Sequence, residues 1–247
     1  MTTLVWIVVS SLAMSAIALV GVVTLLLRPE TLSRVLLPLV AFAAGTLLGG
    51  AFLHLVPAAL AATGSAAGVF LWVLAGFVVF FALEQFLHWR HCHRDVVDAR
   101  HPMTYLVLFG DGLHNFLDGL AIAGAFIADV RLGMGAWLAA AAHEVPQELG
   151  DFSVLVHGGW PKGRALVFNL LSGLTFLLGA LLAYGASARV SVTFLLPFAA
   201  GNFIYIAASD LIPEVRRQTG TTASLVHLAA LTGGIALLYL LRLVLGD

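Results

Sequence analysis

The stretch His143-Glu144-Val145-Pro146-Gln147-Glu148-Leu149-Gly150-Asp151 puts five polar side chains into a run otherwise apolar enough to cross a membrane. One segment earlier stands His114-Asn115-Phe116-Leu117-Asp118-Gly119. At about 100° per residue, positions 143, 144, 147, 148 and 151 fall within an arc of about 140°, and 111, 114, 115 and 118 within about 100°. Each of the two helices therefore carries one wet stripe.

Such a stripe is costly in hydrocarbon. A carboxylate at the centre of an inserted helix is unfavourable by about 2.5 to 3.5 kcal/mol, whereas a buried Leu returns only about 0.5. With Asp111, Asp118, Glu144, Glu148 and Asp151 in these two spans, the gross penalty is on the order of 12 to 17 kcal/mol before pairing. Cations or protons must offset it, and a polar stripe at this depth marks a substrate pathway or ion site. A buried polar network that merely locks two helices is the competing reading. It accounts poorly for five carboxylates facing two imidazoles with no Lys or Arg in either stripe.

The rest of the composition agrees with a membrane setting. Of 247 residues, 61% are hydrophobic and only 10% charged, the signature of an integral membrane protein surrounded by lipid bilayer. The net charge of −1 gives no case for nucleic acid. The single cysteine, Cys92, excludes an internal disulfide and a multi-cysteine zinc cage. The apolar run Leu4 to Leu27 lacks a basic flank and exceeds a signal-peptide core, so it reads as a first span rather than a cleaved leader.

Apolar windows broken by charges, Pro and Gly predict an all-α membrane protein, one transmembrane domain over 1–247. Its eight helices are expected near 4–27, 35–58, 68–89, 103–128, 132–157, 163–186, 190–212 and 222–245. Nine of the twelve Lys and Arg fall in the loops after spans one, three, five and seven, which predicts that these loops are cytoplasmic and both termini extracytoplasmic. The plasma (inner) membrane is the expected location.

Spans two and seven share a pattern. Phe42-Ala43-Ala44-Gly45 leads to His54-Leu55-Val56-Pro57, and Phe198-Ala199-Ala200-Gly201 leads to Asp210-Leu211-Ile212-Pro213, at a constant offset of 156. The copies would run in opposite directions, as an inverted transporter repeat requires, with His54 toward the outer face and Asp210 toward the cytoplasm. Chance similarity between two alanine-rich helices is the alternative. The loop from His88 to His93, with Cys92 and with His101 downstream, reads either as a basic cytoplasmic loop or as a transient low-affinity metal site.

His114 and Asp118, at i and i+4, offer imidazole and carboxylate from one face, and His143 and Gln147 repeat the spacing. The stripes predict one metal held by His114, Asp118 and His143, and a second by Asn115, Asp118 and Glu144, with Gln147 a further ligand available to either and Asp118 bridging. His54, Asp111, Glu148, Asp151 and Asp210 would line the pathway. Nitrogen and oxygen donors without thiolate favour Zn²⁺, Fe²⁺, Mn²⁺ or Cd²⁺ as the transported ion. Pro146 cannot bond the Ala142 carbonyl, which predicts a kink in span five. An intramembrane metallohydrolase built on His143-Glu144 is the rival of a different class. It calls for HExxH, and the fourth position here is Gln147.

HNFLDG and HEVPQELGDF resemble the paired motifs of the ZIP (Zrt/Irt-like) divalent metal transporter family, in particular its LIV-1-like branch. FAAGTLLGGAFLHLVP, HWRHCH and AGNFIYIAASDLIPE resemble that family too, so the likeness covers most of the chain. It implies eight helices in a 3+2+3 arrangement, a two-metal site between spans four and five, import of Zn²⁺ or a related cation, and a homodimer. By the same match His114, Asn115, Asp118, His143, Glu144 and position 147 take the ligand roles. Gln147 departs from the His or Glu of the family motif, and an amide oxygen is a weak Zn²⁺ ligand. The Gly50 and Ala58 stretch also lacks acidic residues that many members carry.

Overall fold

A computed structural model describes residues 2–23, 29–92, 100–216 and 220–245. Thr24 to Arg28, the expected end of the first helix, lie outside it, as do His93 to Ala99 and Arg217; the side chains of His88, His91, Cys92 and His101 are likewise outside the described set. Among the described residues the chain is helical and forms eight segments. These are α1 (Thr3–Ile17, extended by a 3-10 turn over Ala18–Val22) and α2 (Pro29–Gly49, then a π-helical turn Gly50–Leu55, then Val56–Thr63). They continue with α3 (Ala66–Cys92), α4 (Arg100–Ala128), α5 (Val130–His157) and α6 (Lys162–Gly173 with Thr175–Ser187). The last are α7 (Leu195–Tyr205, a π-helical turn Ile206–Leu211, Ile212–Arg216) and α8 (Thr221–Leu245).

Six described helices are long and apolar enough to cross a membrane. The two outside that set, α4 and α5, are those whose apolar character the wet stripes interrupt. Windows in α2 and α7 are 56% and 61% buried, against 17% in α3 and α8. This places α2 and α7 inside the bundle and α3 and α8 outside it. The exposed Leu71, Leu74, Leu225 and Leu228 on the outer pair are what a lipid-facing surface requires.

Small residues set how closely the helices approach. A Cβ on Gly45 would lie 2.0 Å from the Leu231 carbonyl oxygen, and one on Gly234 would lie 2.3 Å from that of Phe42, so α2 and α8 cross backbone to backbone. Gly201 and Gly76 repeat the reciprocal contact between α7 and α3, against Val73 and Phe198. Gly119 and Gly179 do so between α4 and α6. Without a hydrophobic force between helices in lipid, such close backbone packing supplies the association.

The repeated sequence has a structural counterpart. The π-helical turns Gly50–Leu55 and Ile206–Leu211 stand 156 residues apart, the offset of the sequence repeat. Each precedes a proline, Pro57 or Pro213, which cannot donate to the carbonyl four residues back, and the local ladder adjusts around the lost bond. The second helix begins at Pro29, ahead of the expected 35, where the fixed φ of proline suits a first helical residue. Gly64, at φ 65, ends it in the left-handed conformation. The seventh begins at Leu195, after turns over 188–194.

Candidate metal centre

A single residue joins α4 to α5. Asp129 caps α5, its carboxylate accepting from the backbone N–H of Arg131 at 2.7 Å and of Leu132 at 3.3 Å. His114 lies fourteen residues before the end of α4 and His143 thirteen after the start of α5, so both sit about 20 Å from the turn at 1.5 Å per residue. A tight antiparallel hairpin thus brings the two stripes to one depth. The α5 helix continues as one element through Pro146.

Four donor atoms converge there. His114 Nε2 is 3.1 Å from His143 Nε2. Asp118 Oδ2 lies 3.7 Å from each of those nitrogens, and Glu144 Oε2 lies 4.0 Å from His114 Nε2 and 3.6 Å from His143 Nε2. Tetrahedral Zn²⁺ with ligands at about 2.0–2.1 Å keeps its donors about 3.3–3.4 Å apart, near the spacing among His114, His143 and Glu144, whose donor atoms all lie within 4.8 Å of one another, while Asp118 is 3.7 Å from both imidazole nitrogens. All four side chains are withdrawn from the surface, His143 to 1% exposure. The edges of the imidazoles meet aromatic rings, Phe80 beside His114 and Phe203 beside His143. The ion contacts described around the cluster involve imidazole and carboxylate alone. One dication balances the two carboxylates while the imidazoles stay neutral, which removes the net charge that hydrocarbon penalises.

A residue outside the two stripes holds this geometry. Asn202, on α7, donates from Nδ2 to Asp118 Oδ1 at 2.7 Å, which leaves Oδ2 for the histidines. Orientation of a ligating carboxylate by an outer hydrogen bond is a recurrent feature of metal sites. Sequence reasoning passed over Asn202, although a lone Asn after Gly201 in an apolar helix carried the signal. It also passed over Asn169 on α6, which donates to Glu148, and the pair Tyr205 and Glu84, in which the phenol donates to the carboxylate.

The other sequence-selected residues fall in different places. Asn115 Nδ2 donates to Asp111, at 2.9 Å to Oδ1 and 3.2 Å to the main-chain oxygen, and Gln147 Nε2 donates to the same Oδ1 at 3.1 Å. Both amides therefore turn their nitrogens toward Asp111. Asp151 is half-buried one turn beyond Gln147 on α5. His54 is buried in the π-helical turn of α2, its Nε2 3.0 Å from the Leu238 carbonyl oxygen, apart from the cluster. Asp210, in the matching turn of α7, is exposed.

Comparison with known proteins points one way. The family model described as ZIP zinc transporter matches residues 3–101 and 90–242. Zinc transporter ZIP13 of Pongo abelii is 34% identical over 239 residues, which cover 88% of this chain and 70% of that protein. Zinc transporter ZIP4 of Rattus norvegicus is 40% identical over 145 residues, 57% of this chain and 22% of that protein. Zinc transporter foi of Drosophila melanogaster is 36% identical over 148 residues, 59% of this chain and 21% of that protein. The chain thus matches about a fifth of the length of ZIP4 and foi, and most of ZIP13.

Proposed function

The chain belongs to the ZIP zinc transporter family, and on that footing we propose that it carries Zn²⁺, or a related divalent cation, across the membrane through the cluster between α4 and α5. The observation that carries this reading is the convergence of His114, His143, Asp118 and Glu144 across two helices, with each carboxylate within 4.0 Å of both imidazole nitrogens. In this reading those four hold the passing ion, and Asn115 and Gln147 hold Asp111 beside it. His54, Glu148, Asp151 and Asp210 line the approaches. The family is one of transporters, and hydrolysis by the His143-Glu144 helix gains no support from the relatives that match.

The finer architecture belongs to the same proposal. Eight spans arranged 3+2+3, with α2 and α7 as inverted copies, agree with the repeated π-helical turns and the reciprocal glycine crossings of α2 with α8 and of α7 with α3. Both termini outside, a plasma-membrane location, import toward the cytoplasm and a homodimer complete it. Arg164 over the Trp160 ring at 4.2 Å, with its guanidinium 3.0 Å from the Tyr105 hydroxyl, forms the kind of cationic and aromatic anchor found at a membrane interface, on the side assigned to the cytoplasm.

The test is flux into proteoliposomes of Zn²⁺, Mn²⁺, Fe²⁺ and Cd²⁺ by the purified chain and by its Asp118→Ala and His114→Ala variants. Saturable Zn²⁺ flux that both substitutions abolish supports the proposal. Flux that survives both places the transit site elsewhere.

A further inference from the structure

A second face of α4, distinct from the one that carries His114 and Asp118, meets α6 in an open groove of about 490 Å³. Tyr105, Phe109 and Phe116 of α4 and Phe168, Leu171 and Leu178 of α6 form its walls. Tyr105, Phe109, Leu171 and Leu178 are each exposed by half or more. The wall hydroxyls of Ser172 and Thr175 donate to the main-chain oxygens of Leu108 and Gly112, so the groove presents a hydrocarbon surface.

The length of the groove matches one leaflet. At Gly119 and Gly179 the two helices meet backbone to backbone, a Cβ on either lying 2.0 Å from a carbonyl oxygen of the other, and this crossing closes one end. From Tyr105 to Phe116 the α4 wall rises about 16 Å, and from Phe168 to Leu178 the α6 wall rises about 15 Å, half the roughly 30 Å of a bilayer's hydrocarbon.

At the other end a cation is held in place. The Arg164 guanidinium lies 4.2 Å from the centre of the Trp160 ring and 5.6 Å from that of Phe168, and it donates to the Tyr105 hydroxyl at 3.0 Å. Two of those three partners are groove residues, and none of the three carries a countercharge. Lys162, also exposed, stands two residues earlier on α6. A planar guanidinium fixed in this way suits phosphate oxygens.

We propose that the groove binds one phospholipid of net negative charge, an acyl chain lying between α4 and α6 and the phosphate held by Arg164 with Lys162 beside it. Length and charge together select this occupant. A two-fold contact with another copy of the chain would set Arg164 and Lys162 of both at one depth, like charge facing like. The inference stands apart from which ion is carried and in which direction.

Native mass spectrometry of the purified full chain, titrated in detergent with dioleoyl phosphatidylglycerol or dioleoyl phosphatidylcholine, reads bound lipid directly. One phosphatidylglycerol is expected to bind at least about fivefold more tightly than phosphatidylcholine, the scale set by a single Lys or Arg beside an anionic lipid. Arg164→Gln should remove that preference and Lys162→Gln reduce it, while Leu171→Trp, which fills the groove, should weaken both lipids. Glycerol 3-phosphate, a headgroup without chains, should not displace the bound lipid. The wild-type comparison needs no variant to fold. Equal affinity for the two lipids, an undiminished preference in both cation variants, or displacement by glycerol 3-phosphate would overturn the site. A wild-type dimer that carries no lipid and that Leu171→Trp splits would give the groove to a second copy, which overturns it as well.

Discussion

Asn202 donates to Asp118 at 2.7 Å, and by doing so it turns the other carboxylate oxygen of Asp118 toward both histidines of the cluster. A helix outside the two stripes thereby sets the direction of a carboxylate within them. Asn202→Leu removes this support while keeping the side-chain size. Zn²⁺ affinity is expected to fall about 10- to 100-fold, read by competition with a chelating dye. Unchanged affinity would mean that Asp118 needs no outside support.

Gln147 lies one turn from His143 on α5, with its amide nitrogen on Asp111. Gln147→His replaces a weak amide donor with an imidazole and withdraws the amide from Asp111. Zn²⁺ is expected to bind more tightly, by about tenfold, and to leave more slowly. Isothermal titration together with stopped-flow release into chelator checks both, and equal constants for variant and wild type contradict the expectation.

Two consecutive glycines on α8 separate packing from helix propensity. A Cβ on Gly234 meets the Phe42 oxygen at 2.3 Å, whereas one on Gly233 has no heavy atom within 4 Å. Gly234→Ala is expected to lose about 1–3 kcal/mol through overpacking of the α2 crossing. Gly233→Ala should be neutral or slightly stabilising, since Ala is the better helix former. Thermal unfolding of both in one detergent decides, and equal melting temperatures contradict the close crossing.

Zn²⁺ coordinates neutral imidazole and ionised carboxylate, so binding expels whatever protons His114, His143, Asp118 and Glu144 carry. Acid therefore weakens binding and alkali strengthens it, by about tenfold per pH unit for each proton released. Titrations in two buffers of different ionisation enthalpy count those protons. Zn²⁺ binding that releases no proton in either buffer would contradict this donor set.

The stripes on α4 and α5 were legible because helical period alone fixes which residues share a face, and carboxylates on an apolar helix are too costly to be incidental. The repeat was legible as letters. Its π-helical turns were not, because they express how the ladder answers Pro57 and Pro213. The direction of Gln147 was hidden for another reason: spacing locates its Cα, but which neighbour its amide nitrogen meets depends on the contact between α4 and α5. Asn169 and Asn202 reach the cluster across helix contacts far apart in the chain, which no local pattern records.

The most direct measurement is zinc K-edge X-ray absorption on wild-type protein loaded with one equivalent of Zn²⁺. Four nitrogen and oxygen ligands at about 2.0–2.1 Å are expected, with multiple scattering from two imidazoles and no sulfur. A first shell with sulfur, or scattering from fewer than two imidazoles, would contradict the joint hold of His114 and His143 on one ion.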